Sequence, residues 1–314
     1  MYWRLNDLDR DAWEAAARDA PFEQSWLYGA VAESFGARLA RWRLVSGGQT
    51  VALAQGIERG IGPFRVLWFP RGVHGVATAE MTDLRRALPG HPFVLSPEAG
   101  RIVRQVADRA ELVLTSGLRA GLGKKWRNRL SAAERAGLQV CRMRGLSDWL
   151  MDCELRQRRS RGYRALPALW VKRVAALDPD CVETLIAWKD GVRVAGVTCL
   201  RHGRQMRYEL GHTTETGRKL SAHNLLLWRA MRDAEERGDA RMDLGIVDAT
   251  RLPGLTRFKL GTGARQVAAP PMRLLTPWAQ ASDGSQSTMD GKATSVAMVT
   301  ASATKNGITP LKTS

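Results

Sequence analysis

The sequence predicts a mixed α/β (α+β) fold built from two similar units, each a mixed, largely antiparallel sheet flanked by helices. Several segments carry apolar residues at the 3.6-residue period of an amphipathic helix. Short apolar runs are joined by tight turns, Gly47-Gly48 early in the chain and Asp190-Gly191 later. Strands and helices follow one another in a similar order in both halves, which indicates an internal structural duplication. The 314 residues are enough for two domains of ~100–150 residues each.

The first half alternates helices with strands. Residues 11–20 and 26–35 are predicted helices, the second because Trp26, Leu27 and Val31 share one helical face. Three apolar runs that end in turn residues are predicted strands: residues 39–45, 50–57 and 64–69. A helix, a strand and a second helix are expected next: residues 82–88, 91–95 and 101–110.

The segment from Lys124 to Leu138 predicts a basic helix that ends at Gly137, where glycine permits the left-handed closing residue. Positive charge at a helix N-terminus opposes the macrodipole. The basic side chains therefore either face a negatively charged group or extend into solvent along the helix. Both explanations stay open at this point.

The second half is predicted to contain three helices and four strands. The helices are residues 146–163, 170–176 and 222–236, and the strands are residues 182–188, 192–200, 205–210 and 240–246. A loop is predicted over residues 254–261, with Lys259 directly after a phenylalanine and close to glycines. Residues 276–314 are rich in Ser, Thr, Ala and Gly without an apolar period, which predicts a disordered tail.

The formal net charge of +17, from 48 Lys and Arg against 31 Asp and Glu, favours an anionic partner. Candidates are a nucleotide- or diphosphate-linked substrate, tRNA and the anionic surface of a membrane. An arginine-rich composition spread along the whole chain explains the charge equally well. One arginine cluster fits a diphosphate, although such side chains are usually solvated: Arg156, Arg158, Arg159, Arg161 and Arg164.

The chain has no run of ~18 apolar residues, the length needed to span a membrane as a helix. Its first residues are polar and acidic, so a cytoplasmic location is expected. Four widely spaced cysteines lack a Cys-x-x-Cys or a histidine at metal-ligand spacing, so no metal site is predicted. The absence of a Gly-x-Ser-x-Gly motif from the sequence argues against catalysis by a serine nucleophile.

Several motifs along the chain share their type and order with one enzyme family. They are residues 22–29 (FEQSWLYG), 68–72 (WFPRG), 125–138 (KWRNRLSAAERAGL), 208–211 (YELG), 223–228 (HNLLLW) with 243–245 (DLG), and 257–259 (RFK). Together they resemble the FemAB-like branch of the GNAT acyltransferases over roughly residues 20–275. The sequence departs from the family pattern at Thr262-Gly263 and at Ile246-Val247, where an aromatic-glycine pair and a second glycine are usual.

The resemblance implies two tandem GNAT-like domains, residues 1–143 and 144–275, followed by the tail at residues 276–314. It implies direct transfer of an acyl or aminoacyl group onto an amine acceptor, such as a cell-envelope (peptidoglycan) precursor. Lys259 is expected to stabilise negative charge on the carbonyl oxygen, with Asp243 and Tyr208 as further catalytic candidates. Residues in the matching motifs are expected to bind substrates: Arg71, Lys125, Arg127, Asn128, Arg129, His223, Asn224 and Arg257.

The donor and the general base stay open. Aminoacyl-tRNA would use the basic charge of the chain. Acyl-coenzyme A would need a phosphate-binding loop before a helix, and residues 216–222 lie at that place with a single glycine. Beyond these donor substrates no cofactor is implied. The candidate bases are Tyr208, His212, His223 and Asp243.

Two other functions fit parts of the sequence. An acetyl-CoA-dependent N-acetyltransferase acting on a small molecule or a polysaccharide amine is the alternative enzyme. A nonenzymatic basic RNA-binding protein is the second alternative, in which residues 124–135 would follow RNA phosphates. The sequence has no RNP-type aromatic motif and no zinc knuckle to support that second alternative.

Overall fold

The structure is a computed structural model that describes residues 1–61, 64–75, 93–98, 100–161 and 168–276. Within these residues the chain forms two seven-stranded mixed sheets with helices packed against them. This arrangement confirms the predicted mixed α/β fold class. The predicted helix at residues 82–88 and the predicted tail beyond Thr276 lie outside the described residues.

The first sheet takes most of its strands from the first half of the chain. They are β1 Tyr2–Leu5, β2 Arg38–Ser46, β3 Gln49–Ile61, β4 Phe64–Trp68, β5 Phe93–Ser96, β6 Arg101–Arg104 and β14 Met272–Leu275. Their order in the sheet is β1-β2-β3-β4-β5-β14-β6. β4 and β5 are parallel, and the other neighbours are antiparallel.

The second sheet is built mainly from the second half. Its strands are β7 Arg109–Val113, β8 Gln139–Arg144, β9 Val182–Lys189, β10 Val192–His202, β11 Gln205–Thr213, β12 Arg241–Ile246 and β13 Arg265–Val267. Their order is β13-β7-β12-β11-β10-β9-β8, and only β11 and β12 are parallel within it. The β9–β10 hairpin turns at Asp190-Gly191, with φ angles of +49° and +77° that Asp and Gly tolerate.

Helices cover the sheets and close the core. They are α1 Arg10–Ala16, α2 Trp26–Ser34, α3 Leu118–Gly121, α4 Lys124–Glu134, α5 Asp148–Arg161, α6 Ala168–Leu177, α7 Glu215–Lys219, α8 Ala222–Glu236 and α9 Pro253–Leu260. One core joins the second sheet to Trp126 of α4 and Leu226 of α8. Another lies between the two halves, where Ile57, Trp170 and Leu210 pack together.

Two of the predicted elements are wrong. The helix expected at residues 101–110 is replaced by β6 and β7, because β6 pairs with the distant β14 and β7 pairs with β12 and β13. The loop expected at residues 254–261 is the helix α9. Pro253 begins this helix, at a position where the missing N–H of proline would have no helical partner anyway.

Sheet membership crosses the predicted division between residues 143 and 144. β7 and most of β8 precede the division and belong to the second sheet, whereas β14 belongs to the first sheet. The division into residues 1–143 and 144–275 stays a prediction.

The β10–β11 turn touches the first half of the chain at Gly203. This residue has φ +52°, and a Cβ there would lie 2.1 Å from the backbone oxygen of Arg18. Gly203→Ala is therefore expected to lower the free energy of unfolding by ~2–4 kcal/mol in urea denaturation. Gly191→Ala is the control, because Gly191 has a similar φ of +77° but open space around it. Gly191→Ala should lower the free energy of unfolding by ~1 kcal/mol. Equal decreases in the two variants would contradict the importance of the Arg18 contact.

Candidate active site

Charged side chains gather on one face of the second sheet, along β7, β11 and β12. In β7 the side chains of Ala110 and Leu112 lie in the core, which leaves Arg109 and Glu111 on the opposite face. The pairing of β12 with β7 places Asp243 beside them. We call this surface the charged face; its members are Arg109, Glu111, Arg207, Glu209 and Asp243.

Asp243 is held by donors on both carboxylate oxygens. Arg109 donates from Nε to Oδ2 at 3.0 Å and to Oδ1 at 3.2 Å, and the backbone N–H of Gly245 donates to Oδ1 at 2.7 Å. Burial raises the pKa of Asp243, but Arg109, Arg207 and the Gly245 N–H together lower it more, so the net direction is below its usual range. An ionised carboxylate with these partners is suited to hold the backbone turn at the end of β12, rather than to accept a proton.

Lys259 lies on α9 beside that turn. Its side chain is buried, with 6% of the residue exposed, and Nζ donates to the backbone oxygen of Ile246 at 2.8 Å. Burial and the Arg109 cation, against the opposing effect of Asp243, lower the pKa of Lys259 to about 8. The structure therefore brings two predicted catalytic residues, Asp243 and Lys259, to the same turn.

Arg207 connects the charged face to the first half of the chain. Its guanidinium contacts Glu23 at 2.8 Å and Glu209 at 3.0 Å. Glu209 is the extra residue of a β-bulge, since Thr198 pairs with Leu210 and the next residue of β10 pairs with Tyr208. Burial raises the pKa of Glu209 despite Arg207. On this face Glu209 is therefore a carboxyl group inclined to bind a proton.

A cleft lies where the charged face meets the first half. It is narrow, with a cavity volume of about 20 Å³, and its lining includes Arg71, Glu111, Arg207, Arg241 and Asp243. The predicted substrate-binding residue Arg71 reaches in from the turn after β4 and contacts Glu111 at 3.3 Å. The cleft thus combines cations and carboxylates from both halves of the chain.

The parallel strands β11 and β12 are paired only over their first residues, up to Arg207 and Asp243. β11 continues to Thr213 without pairing to β12, and every residue of both strands is described. The two strands therefore diverge after these residues, beside the end of β12, where Lys259 lies; we call this divergence the opening between β11 and β12.

Tyr208 and His223 meet on the opposite face of the sheet, towards α8. Tyr208 Oη lies 3.2 Å from His223 Nε2. Burial lowers the pKa of His223 to about 4, despite the opposite effect of the backbone at His212. Gly211 makes room for the pair, because a Cβ there would lie 1.9 Å from Tyr208 Oη. The predicted candidates therefore fall into two groups on different faces of one sheet.

The other predicted substrate-binding residues have mixed positions. Lys125, Arg127, Asn128 and Arg129 are exposed on α4, and Arg127 donates to the backbone oxygen of Leu122 at 2.8 Å. The N-terminus of α4 lies against the end of α9, where Gly123 N donates to Gly261 O at 2.9 Å. The basic start of α4 thus lies near the C-terminal, partially negative end of another helix.

Arg257 and Asn224 differ in exposure. Arg257 is exposed on α9 and donates to the backbone oxygen of Pro253 at 3.3 Å. Asn224 is buried in α8, and its Nδ2 atom has no hydrogen-bond partner among the described residues. Neither side chain is among those that line the cleft.

Four residues of the charged face are missing from the sequence prediction: Arg109, Glu111, Arg207 and Glu209. A signal for them was present in the strands themselves. In residues 109–112 (RAEL) and 206–210 (MRYEL), charged side chains interrupt apolar runs at every second position. Such charges on a sheet face that packs against protein are costly unless paired, so they mark a functional or structural ion network.

The chain is similar to known proteins both in sequence and in fold. Residues 119–263 match the family model described as acetyltransferase (GNAT) domain. A crystal structure of FemX superposes with a TM-score of 0.72 at 11% sequence identity, covering 87% of this chain and 97% of that chain. This chain has the fold of FemX. The predicted resemblance is thereby confirmed for the fold.

A second solved structure shares this fold with a lower TM-score. It is a conserved protein of unknown function from Bacteroides thetaiotaomicron VPI-5482, with a TM-score of 0.53 and 13% identity over 86% of this chain and 98% of that chain. No curated protein sequence matches this one at a significant level.

Two further features of the described residues bear on the site. Among them, no group of three or more His, Cys, Asp or Glu side chains is arranged to hold a metal ion. None of the helices in the described part of the chain is both long and apolar enough to cross a membrane.

Proposed function

We propose that this protein is an acyl- or aminoacyltransferase that moves its group onto an amine acceptor at the opening between β11 and β12. The observation that carries the proposal is the buried Lys259, which lies beside the Asp243–Arg109 pair within the GNAT domain. A lysine removed from water beside this opening is a suitable partner for charge that develops during acyl transfer.

The reaction is an attack of the acceptor amine on the acyl carbonyl carbon. A C–N bond forms, the C–O or C–S bond to the donor breaks, and the amine proton passes to the leaving oxygen or sulfur. Lys259 Nζ stabilises the negative oxygen of the tetrahedral intermediate, a role worth ~3–4 kcal/mol. Asp243 and Arg109 hold the turn against which Lys259 lies.

Two donors fit the structure. The long helix α8 begins at Ala222, and its N-cap residue Ser221 forms no side-chain cap. Arg218 and Lys219 of α7 precede this helix start, which favours the phosphates of coenzyme A. The predicted loop at residues 216–222 is thus largely the short helix α7. The exposed basic side chains of α4 favour the phosphates of aminoacyl-tRNA.

We propose an anionic acceptor, such as a nucleotide- or diphosphate-linked cell-envelope precursor, because the chain carries a net charge of +17. An acetyl-CoA-dependent N-acetyltransferase acting on a small molecule or a polysaccharide amine is the second candidate. It is supported by the description of the matched domain as an acetyltransferase. Under this alternative the same Lys259 site is used with a smaller donor.

The deciding experiment is calorimetric titration of the purified protein with acetyl-CoA and with aminoacyl-tRNA, each at two salt concentrations. A coenzyme A site that survives salt supports the N-acetyltransferase. Tight, salt-sensitive binding of tRNA without coenzyme A binding supports aminoacyl transfer. Binding of RNA regardless of charging, with no transfer to any amine, would instead support the nonenzymatic RNA-binding alternative. Binding of none of these ligands contradicts the proposal.

The rate of transfer is expected to depend on the charge of Lys259. Because its pKa is about 8, kcat/KM should fall as the pH rises through 8 and the ammonium loses its proton. The check is a profile of kcat/KM from pH 6 to pH 10 with the donor that binds. In Lys259→Arg the cation persists across this range, so any remaining activity should show no fall near pH 8. The same fall in both proteins would assign the titration to another group.

A further inference from the structure

Two buried glutamines connect the segments that bring Glu23 and Arg71 to the charged face. Gln24 and Gln55 both have 0% exposure. Gln24 Nε2 donates to the two backbone oxygens that flank Arg71, at 3.0 and 2.8 Å. Gln24 Oε1 accepts a hydrogen bond from the backbone N–H of Gln55 at 2.7 Å. One side chain next to Glu23 in sequence thus binds the turn that carries Arg71.

Gln55 completes the connection from the other side. Its Nε2 donates to the backbone oxygens of Glu23 at 3.1 Å and Ser25 at 3.0 Å. Its Oε1 accepts from Arg41 Nε at 2.8 Å. Both amide groups are therefore fully used, and a substitution at either position leaves buried backbone groups without partners.

The turn needs such support because Arg71 has φ +65°. A side chain in this left-handed region is strained, and the strain persists only where the surroundings hold it. Glycine follows as residue 72, and a Cβ there would lie 1.9 Å from Glu98 Oε1, so the turn is closely packed. In this conformation Arg71 contacts Glu111, while Glu23 contacts Arg207.

We propose that Gln24 is a positioning residue that fixes Arg71 and Glu23 relative to each other and thereby completes the charged face from the first half of the chain. Gln24 itself is fully buried, so it acts through these two residues rather than on a substrate. Its importance for transfer rests on the proposed function, whereas its coupling to Arg71 does not.

The test is a double-mutant cycle of Gln24→Met and Arg71→Gln, measured on the full chain without substrate. The readout is the titration of the Glu23 side-chain carboxyl carbon in NMR spectra. Burial raises the pKa of Glu23, and Arg207, Arg109 and Arg71 together lower it more. We expect each single variant to raise this pKa by the same amount, and the double variant to raise it no further.

Thr184→Val is the matched control. It removes a buried hydroxyl that donates to Gly145 O at 2.8 Å, away from the cleft, and should leave the Glu23 titration unchanged. A wild-type Glu23 titration in Gln24→Met, or additive shifts in the double variant, would overturn the proposal. Because the readout needs no substrate, this failure is distinct from a failure to detect acyl transfer.

Folding of the variant provides a second test. If Gln24→Met does not fold, adding Arg71→Gly is expected to restore folding, since glycine adopts the left-handed conformation without strain. The measurement is the fraction of folded protein by circular dichroism and gel filtration. Absence of rescue would show that the buried amide supports something other than the Arg71 turn.

Discussion

Lys259→Met is expected to lower the rate of acyl transfer by ~10²–10³-fold, because the oxygen of the tetrahedral intermediate loses its cation. The methionine side chain is unbranched like that of lysine and only one atom shorter, so the loss reports mainly the charge and not the packing. Single-turnover transfer with a labelled donor measures the effect. KM for the donor should change little, because the charge it stabilises exists only in the transition state.

The same variant is expected to be more stable than the wild type at pH 7, by ~1–2 kcal/mol. Burial holds the folded-state pKa of Lys259 at about 8, below its ordinary value of 10.5, so the charged amine opposes folding at neutral pH. Between pH 8 and about 10.5 the unfolded wild-type chain binds more protons than the folded one. Wild-type stability therefore rises over this window relative to Lys259→Met, and the advantage of the variant shrinks.

Arg251→Met is the matched control for Lys259→Met. Arg251 is a cation just before α9 with 87% of its side chain exposed, and its contact with Asp248 is 3.9 Å long. Its removal should leave both the transfer rate and the stability within experimental error. An active Lys259→Met, or an equal loss in both variants, would remove Lys259 from the mechanism.

Arg207→Met is expected to have the largest effect on stability, ~3–5 kcal/mol in urea denaturation at pH 7. The substitution leaves two carboxylates, Glu23 and Glu209, in the protein interior without their shared cation. Burial already raises the pKa of Glu209 in the wild type, and loss of the Arg207 cation should raise it further. The decrease in the free energy of unfolding is therefore expected to become smaller as the pH falls from 7 to 5, because Glu209 then binds a proton.

Arg144→Met tests whether burial, and not the ion pair as such, causes the effect. Arg144 contacts Asp180 at 2.9 Å, but the side chains are 83% and 72% exposed. Loss of this pair should cost ~0.5 kcal/mol or less. A cost below ~1 kcal/mol for Arg207→Met as well would show that the charged face contributes little to stability.

The elements that could be predicted from the sequence are those whose pattern is complete within one segment. The β2–β3 and β9–β10 hairpins have glycine turns between apolar runs, and α8 has an apolar stripe along its length. β8 carries no such pattern because it is an edge strand with mostly exposed side chains. β6 and β14 form only because distant segments pair with each other.

The candidate site was predictable to a similar extent. Family resemblance placed Asp243 and Lys259 among the catalytic candidates, and the structure brings them to one turn. It could not indicate Arg109, because the contact between Arg109 and Asp243 arises from the pairing of β7 with β12. The burial of Lys259 could not be predicted from the sequence either, because its segment was predicted as a loop and is a helix.

The position of β14 has a consequence for protein synthesis. β14 lies between β5 and β6 in the first sheet, and its Leu274 pairs with Leu95. During synthesis on the ribosome, one edge of β5 therefore stays unpaired until β14, near the end of the described chain, has emerged. Pairing between strands that are far apart in the sequence is slow, and an exposed strand edge can pair with other chains. A chain that stops before residue 272 should therefore aggregate, even though all residues of the charged face have been made.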